Sequence, residues 1–164
     1  MIDKHITEEV AEVNRAQIEH RAMWMGLIYD EMIKAGIDAE SIIRRAVKRC
    51  GHIRGEQLKK RCADPKNLEA FRKAFLSDLV KKTFDANVVE GDEASLSIDF
   101  HYCALVSAWK KLGFDGKTCA LLCDMAMEGD RSMAEVMELQ LNLGHTIAQG
   151  CPTCELRFKK NEKK

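Results

Sequence analysis

Eight side chains able to carry chemistry crowd into two parts of this 164-residue chain: His101, Cys103, Cys123, Asp124, Glu128, Asp130, Cys151 and Cys154. The first part reads HYCALVSAWKKLG from His101 and LLCDMAMEGDR up to Arg131; the second reads GHTIAQGCPTCELRF from Gly144 to Phe158. Their neighbours are mostly small or apolar. A packed core does not need so many thiols and carboxylates. A site for a polarised small molecule does need a nucleophile, a proton carrier and charge partners together.

Each group has a chemical and a structural reading. Cys154 opens an expected strand, where rigid placement at a sheet rim suits a nucleophile; the same thiol could simply pack as a small apolar side chain. His101 and Cys103 are two apart, which puts them on one face if the strand runs through both. Such a pair could activate a thiolate or share a metal; otherwise His101 is a partly exposed strand residue and Cys103 turns into the next helix. Cys119 and Cys123 share a helix face, and Asp124 and Glu128 share another. Two carboxylates a turn apart can divide acid and base roles, or form a solvated acidic face. Asp130 and Arg131 follow Gly129 and read as a cap and an ion pair for a following helix. Cys151-Pro152-Thr153-Cys154 has redox or half-zinc spacing, but it leads into a strand rather than a helix. Were zinc or iron bound, His101, Cys103, Cys123, Cys151 and Cys154 would be the ligands; the expectation is no metal and no cofactor. Towards the N-terminus, His20 adjoins Arg21 and Trp24 as a candidate proton carrier. The basic run Arg44, Arg45, Lys48 and Arg49 offers a guanidinium for a substrate carboxylate. Cys50 and Cys62 read as structural.

Apolar spacing sets the elements that must position these groups. Val10, Val13, Trp24, Leu27, Ile28 and Met32 form a helical stripe from about Thr7, with Gly36 as the stop. Asp38 caps a second helix carrying Ile42, Ile43, Ala46 and Val47 and ending at Gly51. Asp64-Pro65 starts a third, with Leu68, Phe71, Phe75, Leu76, Leu79 and Val80. The period then becomes two: Leu96, Ile98, Phe100 and Tyr102 alternate with polar residues as a half-buried strand. Its partner is Thr83 to Val89, across the turn residues Glu90-Gly91-Asp92. Helices return at Ala104–Leu112 and from Asp115 through Met127, stopped by Gly129. Leu139 to Leu143 is either a strand or the end of a helix begun near Ser132, and Cys154 to Phe158 is a last strand. The expectation is one α+β domain over residues 1–164. It has a mainly helical layer to about 82, a mixed part from 83 to 158 with a small antiparallel sheet and the site, and a tail from 159 to 164.

Twenty-six basic residues balance 26 acidic ones, so no basic field invites nucleic acid. No run is long and uncharged enough for a membrane helix. The N-terminus MIDKHITEEV lacks an apolar signal core, and the chain reads as cytoplasmic. Seven cysteines in irregular spacing read as thiols rather than a secreted disulfide framework. The expected partner is a small-molecule substrate, with neither nucleic acid nor membrane. Trp24, Met23, Met25, Met125 and Met127 would serve a homo-oligomer interface as readily as a core.

These stretches resemble the L-2-amino-thiazoline-4-carboxylic acid hydrolase family, best from Phe100 to Phe158. Members show Tyr-Cys-x-Leu-Val-x-Ala-Trp-Lys-Lys-Leu-Gly, here Tyr102 to Gly113; Cys-Asp-x-Ala-Met-Glu-Gly-Asp-Arg, here Cys123 to Arg131; and a closing Cys-x-x-Arg-Phe, here Cys154 to Phe158. HRAMWMGLIYDEM from His20 and RRAVKRCGHIRG from Arg44 are similar too. Cys151 departs from the pattern, which leads one to expect an acidic or polar residue there. The resemblance implies a hydrolase acting on a carbon–nitrogen bond of a small cyclic amidine, as in opening 2-aminothiazoline-4-carboxylate to N-carbamoyl-cysteine. On that reading Cys154 first, or Cys103 second, attacks the amidine carbon. Asp124 or Glu128 holds the cationic amidine or activates water, and His101 serves as a further catalytic group. Arg131, Asp130, His20 and Trp24 contact the substrate. The alternative is a non-catalytic module that binds a small molecule or metal through the Cys/His cluster; a thiol redox protein using Cys151 and Cys154 is a third.

Overall fold

The computed structural model describes residues 7–62, 64 and 67–161. Two long helices, α1 (Glu8–Lys34) and α2 (Ala39–Arg61), come first. Two short ones follow, α3 (Leu68–Phe75) and α4 (Asp78–Phe84), then the hairpin β1 (Ala86–Gly91) and β2 (Ser95–Phe100). The chain continues through α5 (Ala104–Lys111), α6 (Gly116–Val136), β3 (Leu139–Leu143), a 3-10 turn (Ile147–Gln149) and β4 (Cys154–Lys160). The fold is α+β. Its sheet is antiparallel throughout, in the order β1-β2-β4-β3.

Short polar side chains start the helices, as their sequence positions require. Thr7, Asp38, Asn67, Ser77 and Asp115 each accept a hydrogen bond from a backbone N–H of the first turn. The sheet buries Ile98, Leu156 and Phe158 against Phe71 of α3, Leu58 of α2 and Met137, the residue that caps the end of α6. A second core gathers Trp109 of α5, Ala22 of α1, Ile43 of α2, and Leu122 and Met125 of α6. Because α6 supplies both cores, its position fixes the helical layer relative to the sheet.

Several boundaries differ from the sequence expectation. Gly51 and Gly129 were expected as helix stops, yet α2 and α6 run straight through them. They are instead where the two helices cross: a Cβ on Gly51 would collide with the backbone of Gly129, and one on Gly55 would strike Val136. Burial in that crossing outweighs glycine's weak helix propensity. Asp130 and Arg131 are therefore mid-helix rather than caps. The third helix divides, because Ser77 caps a new one, so Leu79 and Val80 lie in α4. Thr83 and Phe84 end α4 rather than begin a strand, and β1 starts at Ala86. Leu139 to Leu143 is a strand, and Ser132 belongs to α6. The start signal at Pro65, the first six residues and the tail's last three lie outside the described residues. No helix among those described is long and apolar enough to cross a membrane.

The crossing gives a test with a sign. Gly→Ala in an open helix gains up to about 1 kcal/mol, but overpacking costs roughly 1–3 kcal/mol. Gly51→Ala should therefore lower stability in urea denaturation. Gly116→Ala, where a Cβ meets nothing, should be neutral or stabilising.

Candidate active site

Three thiols converge from three elements. Cys103 is the N-cap residue of α5 and Cys123 lies on α6. Cys154 opens β4 opposite Phe100 of β2. Cys123 sits in the electrostatic field of both Cys103 and Cys154, and Cys154 in that of Cys103 and Cys151. Burial pushes all three thiols up, Cys123 to about 12 and Cys154 to about 11, so each is protonated at neutral pH. Two are held by backbone donors. The Ile147 N–H lies 3.2 Å from Cys154 Sγ. Cys103 makes no capping hydrogen bond of ordinary geometry, yet the N–H groups of Val106 and Leu105 face its sulfur and favour the thiolate. Cys123 and Cys154 are closed off, at 9% and 7% exposure. Cys103 lies deep but keeps some accessible surface.

Helix α6 places two aspartates in opposite environments. Asp124 loses hydration by burial, but Arg131 Nη2 at 2.5 Å and Arg44 Nη2 at 2.7 Å outweigh that and hold its carboxyl below the usual range. Glu128 takes the other arms of both guanidinium groups, from Arg131 at 2.9 Å and Arg44 at 3.2 Å. Both carboxylates thus bind arginines of this chain. Asp130, by contrast, is raised: burial dominates, and the distant charges of Arg54, Arg21 and Arg131 offset it only in part. It also contributes to the field at Cys103. Like Cys103, Asp130 lies deep yet retains some accessible surface. Environments that push two carboxylates apart are how acid and base roles are divided.

The remaining candidates lie elsewhere. Strand β2 ends at Phe100, so His101 does not share a strand face with Cys103; it is exposed, its Nε2 2.7 Å from Asn87 Oδ1. His20 and Trp24 are on the outer face of α1 and bond each other. Cys151 is half-buried beside the 3-10 turn, its N–H bonded to Thr146 O at 3.2 Å. Among the described residues, no three His, Cys, Asp or Glu side chains are arranged to hold a metal ion, so the Cys/His ligand set is not assembled. Sequence reasoning missed Arg54 and gave Arg21 no role. Both lie in the motif-like stretches, but only the fold points their charge at Asp130. A surface depression of about 210 Å³ between α3 and the β1–β2 hairpin contains none of the thiols; Arg131 borders a broader one beside β3.

A helical layer on a four-stranded antiparallel sheet is an arrangement that this chain shares with another protein. In fold the chain is similar to the crystal structure of a trafficking protein particle complex subunit 3 from Naegleria fowleri covalently bound to palmitic acid. The TM-score is 0.58 at 15% identity, over 92% of this chain and 97% of that one, which is a likeness of fold. No curated protein matches the sequence. The chain belongs to the L-2-amino-thiazoline-4-carboxylic acid hydrolase family, whose model matches residues 15–158.

The raised thiols make a stability prediction. Above pH 9 the unfolded thiols ionise while Cys154 and Cys123 stay protonated in the fold until about 11 and about 12. The folded state then binds more protons, so stability falls as pH rises through that window. Each thiol contributes a slope of roughly 1.4 kcal/mol per pH unit. Urea titrations from pH 7 to 11 should show Cys123→Ala and Cys154→Ala each less pH-sensitive than the parent by that amount.

Proposed function

We propose that the protein hydrolyses a small cyclic amidine of the 2-aminothiazoline-4-carboxylate type to an N-carbamoyl-cysteine product. Family membership supports a hydrolase. The observation that carries the finer reading is that Cys103, at the N-cap of α5, lies within electrostatic reach of Asp130 of α6, each keeping some accessible surface. Atom balance then fixes the bond: N-carbamoyl-cysteine keeps both nitrogens on the former ring carbon, so carbon–sulfur cleavage replaces the expected carbon–nitrogen cleavage.

The residues divide the work as follows. Cys103 is the better nucleophile, ahead of Cys154, because it keeps accessible surface and faces two helix N–H groups that favour its thiolate. Its proton passes to the amidine nitrogen, creating thiolate and amidinium together, and the sulfur attacks the carbon between ring sulfur and nitrogen. Ring sulfur leaves with a proton from Asp130, whose raised affinity suits a general acid. Asp130 then deprotonates water, which adds to the same carbon. The Cys103 sulfur departs with a proton, and water's oxygen remains as the carbamoyl oxygen. Arg21 and Arg54 supply positive charge for the substrate carboxylate. The ion-paired set of Asp124, Glu128, Arg44 and Arg131 holds α6 in place beside them.

Incubation with 2-aminothiazoline-4-carboxylate should release one free thiol per turnover, with the product mass confirming the carbamoyl group. Cys103→Ala should abolish turnover while Cys154→Ala retains it, and Asp130→Asn should lower kcat by about 100- to 10,000-fold. Absence of ring opening would refute the reading. A second reading is a module that holds a small molecule without turnover. It is supported by the covalent palmitic acid named for the similar structure and by the apolar surroundings of these thiols. A hydroxylamine-labile mass increment on the purified chain would distinguish it.

A further inference from the structure

The outer face of the α1–α2 layer carries nearly all of the large apolar side chains that meet solvent. Among the described residues they run from Val10 to Ile53, with Val89 the exception. They are not scattered. At about 100° per residue, Val13, Trp24, Leu27 and Ile28 fall within roughly a third of the circumference of α1, away from Ala11, Ala22 and Gly26, which are buried. Ile42 and Ile53 occupy the side of α2 opposite Gly51, Gly55 and Leu58, which are buried. Exposed Ile37 joins the two stripes. Trp24 is 62% exposed, with its indole N–H donating to His20 Nε2 at 3.0 Å, so the ring is held on the surface with its polar atom satisfied. At typical residue areas the face exposes on the order of 800 Å² of apolar side chain, similar to the roughly 800 Å² each partner contributes to a standard interface. Monomers seldom leave so large a patch open.

We infer that this face is a homodimer interface, on which a second copy of the chain docks its own α1–α2 layer. Charge selects that occupant. Helix α1 carries six acidic and three basic residues, whereas α2 carries eight basic and two acidic. Glu9 and Glu12 flank the α1 stripe near Val10 and Val13, while exposed Arg45 and Arg49 lie among Ile42, Ala46 and Ile53. A two-fold axis sets the acidic helix of each copy on the basic helix of the other, twice, and closes the assembly. An anionic membrane would be repelled by the α1 half of the same face.

Light scattering and sedimentation velocity of the full chain test this at micromolar concentration. The expected mass is twice the 18.6 kDa of one chain. Trp24→Glu and Ile28→Glu should each give a monomer with unchanged circular dichroism, its melting temperature lowered only by the loss of association and no longer dependent on protein concentration, because neither side chain is buried within the chain. Val89→Glu should leave the dimer intact. Arg49→Glu should weaken self-association roughly tenfold by placing like charges across the interface. A wild-type monomer throughout that range overturns the proposal, as does a dimer that survives both α1 substitutions. A monomer that binds anionic vesicles through Trp24 assigns the face to lipid and overturns it equally.

Discussion

Two helices cross here with no side chain between them, and the site depends on that contact. Gly51 of α2 lies against the backbone of Gly129 of α6, with Gly55 against Val136 one turn on. At that separation Arg44, two turns before Gly51, spans the gap to both Asp124 and Glu128. Asp130, the residue after Gly129, is carried inward, where burial raises its carboxyl. A larger residue at either crossing glycine would part the axes, break the Arg44 bridge and hydrate Asp130. The electrostatics of the site therefore follow from a steric condition.

The crossing also explains why one helix holds carboxylates of opposite character. Asp124 and Asp130 are six residues apart on α6, and both lose hydration. Asp124 meets two guanidinium groups at hydrogen-bond distance, and its charged form wins. Asp130 has only more distant positive charge, and burial wins. Bonded contact outweighs desolvation; distant charge does not. The thiols obey the same balance, since neither the backbone donors at Cys103 and Cys154 nor Arg131 near Cys123 offset their burial.

Much of this was legible from the residues. Polar caps at Thr7, Asp38 and Asp115 and the two-residue alternation of β2 and β4 are local signals, and they set the helix starts and the strands found here. The motif containing Cys123, Asp124 and Asp130 did mark the helix on which the polar groups gather. The errors have two causes. Gly51 and Gly129 were read by their conformational freedom, whereas the chain uses them for their lack of a side chain, which is a property of the pair and cannot be seen in either alone. A shared face for His101 and Cys103 needs the alternation to run three residues past the end of its strand at Phe100.

The sequence by itself determined the fold class, the starts of α1, α2 and α6, the strands β2 and β4, and the family, because capping, periodicity and motif spacing act over a few residues. Tertiary structure alone decided that Asp124 and Glu128 are bound by Arg44 and Arg131 while Asp130 comes within electrostatic reach of Cys103. It alone brought Cys103, Cys123 and Cys154 together from an N-cap, a helix and a strand. A charge's environment depends on partners tens of residues away along the chain, and only packing brings such partners within a few ångströms.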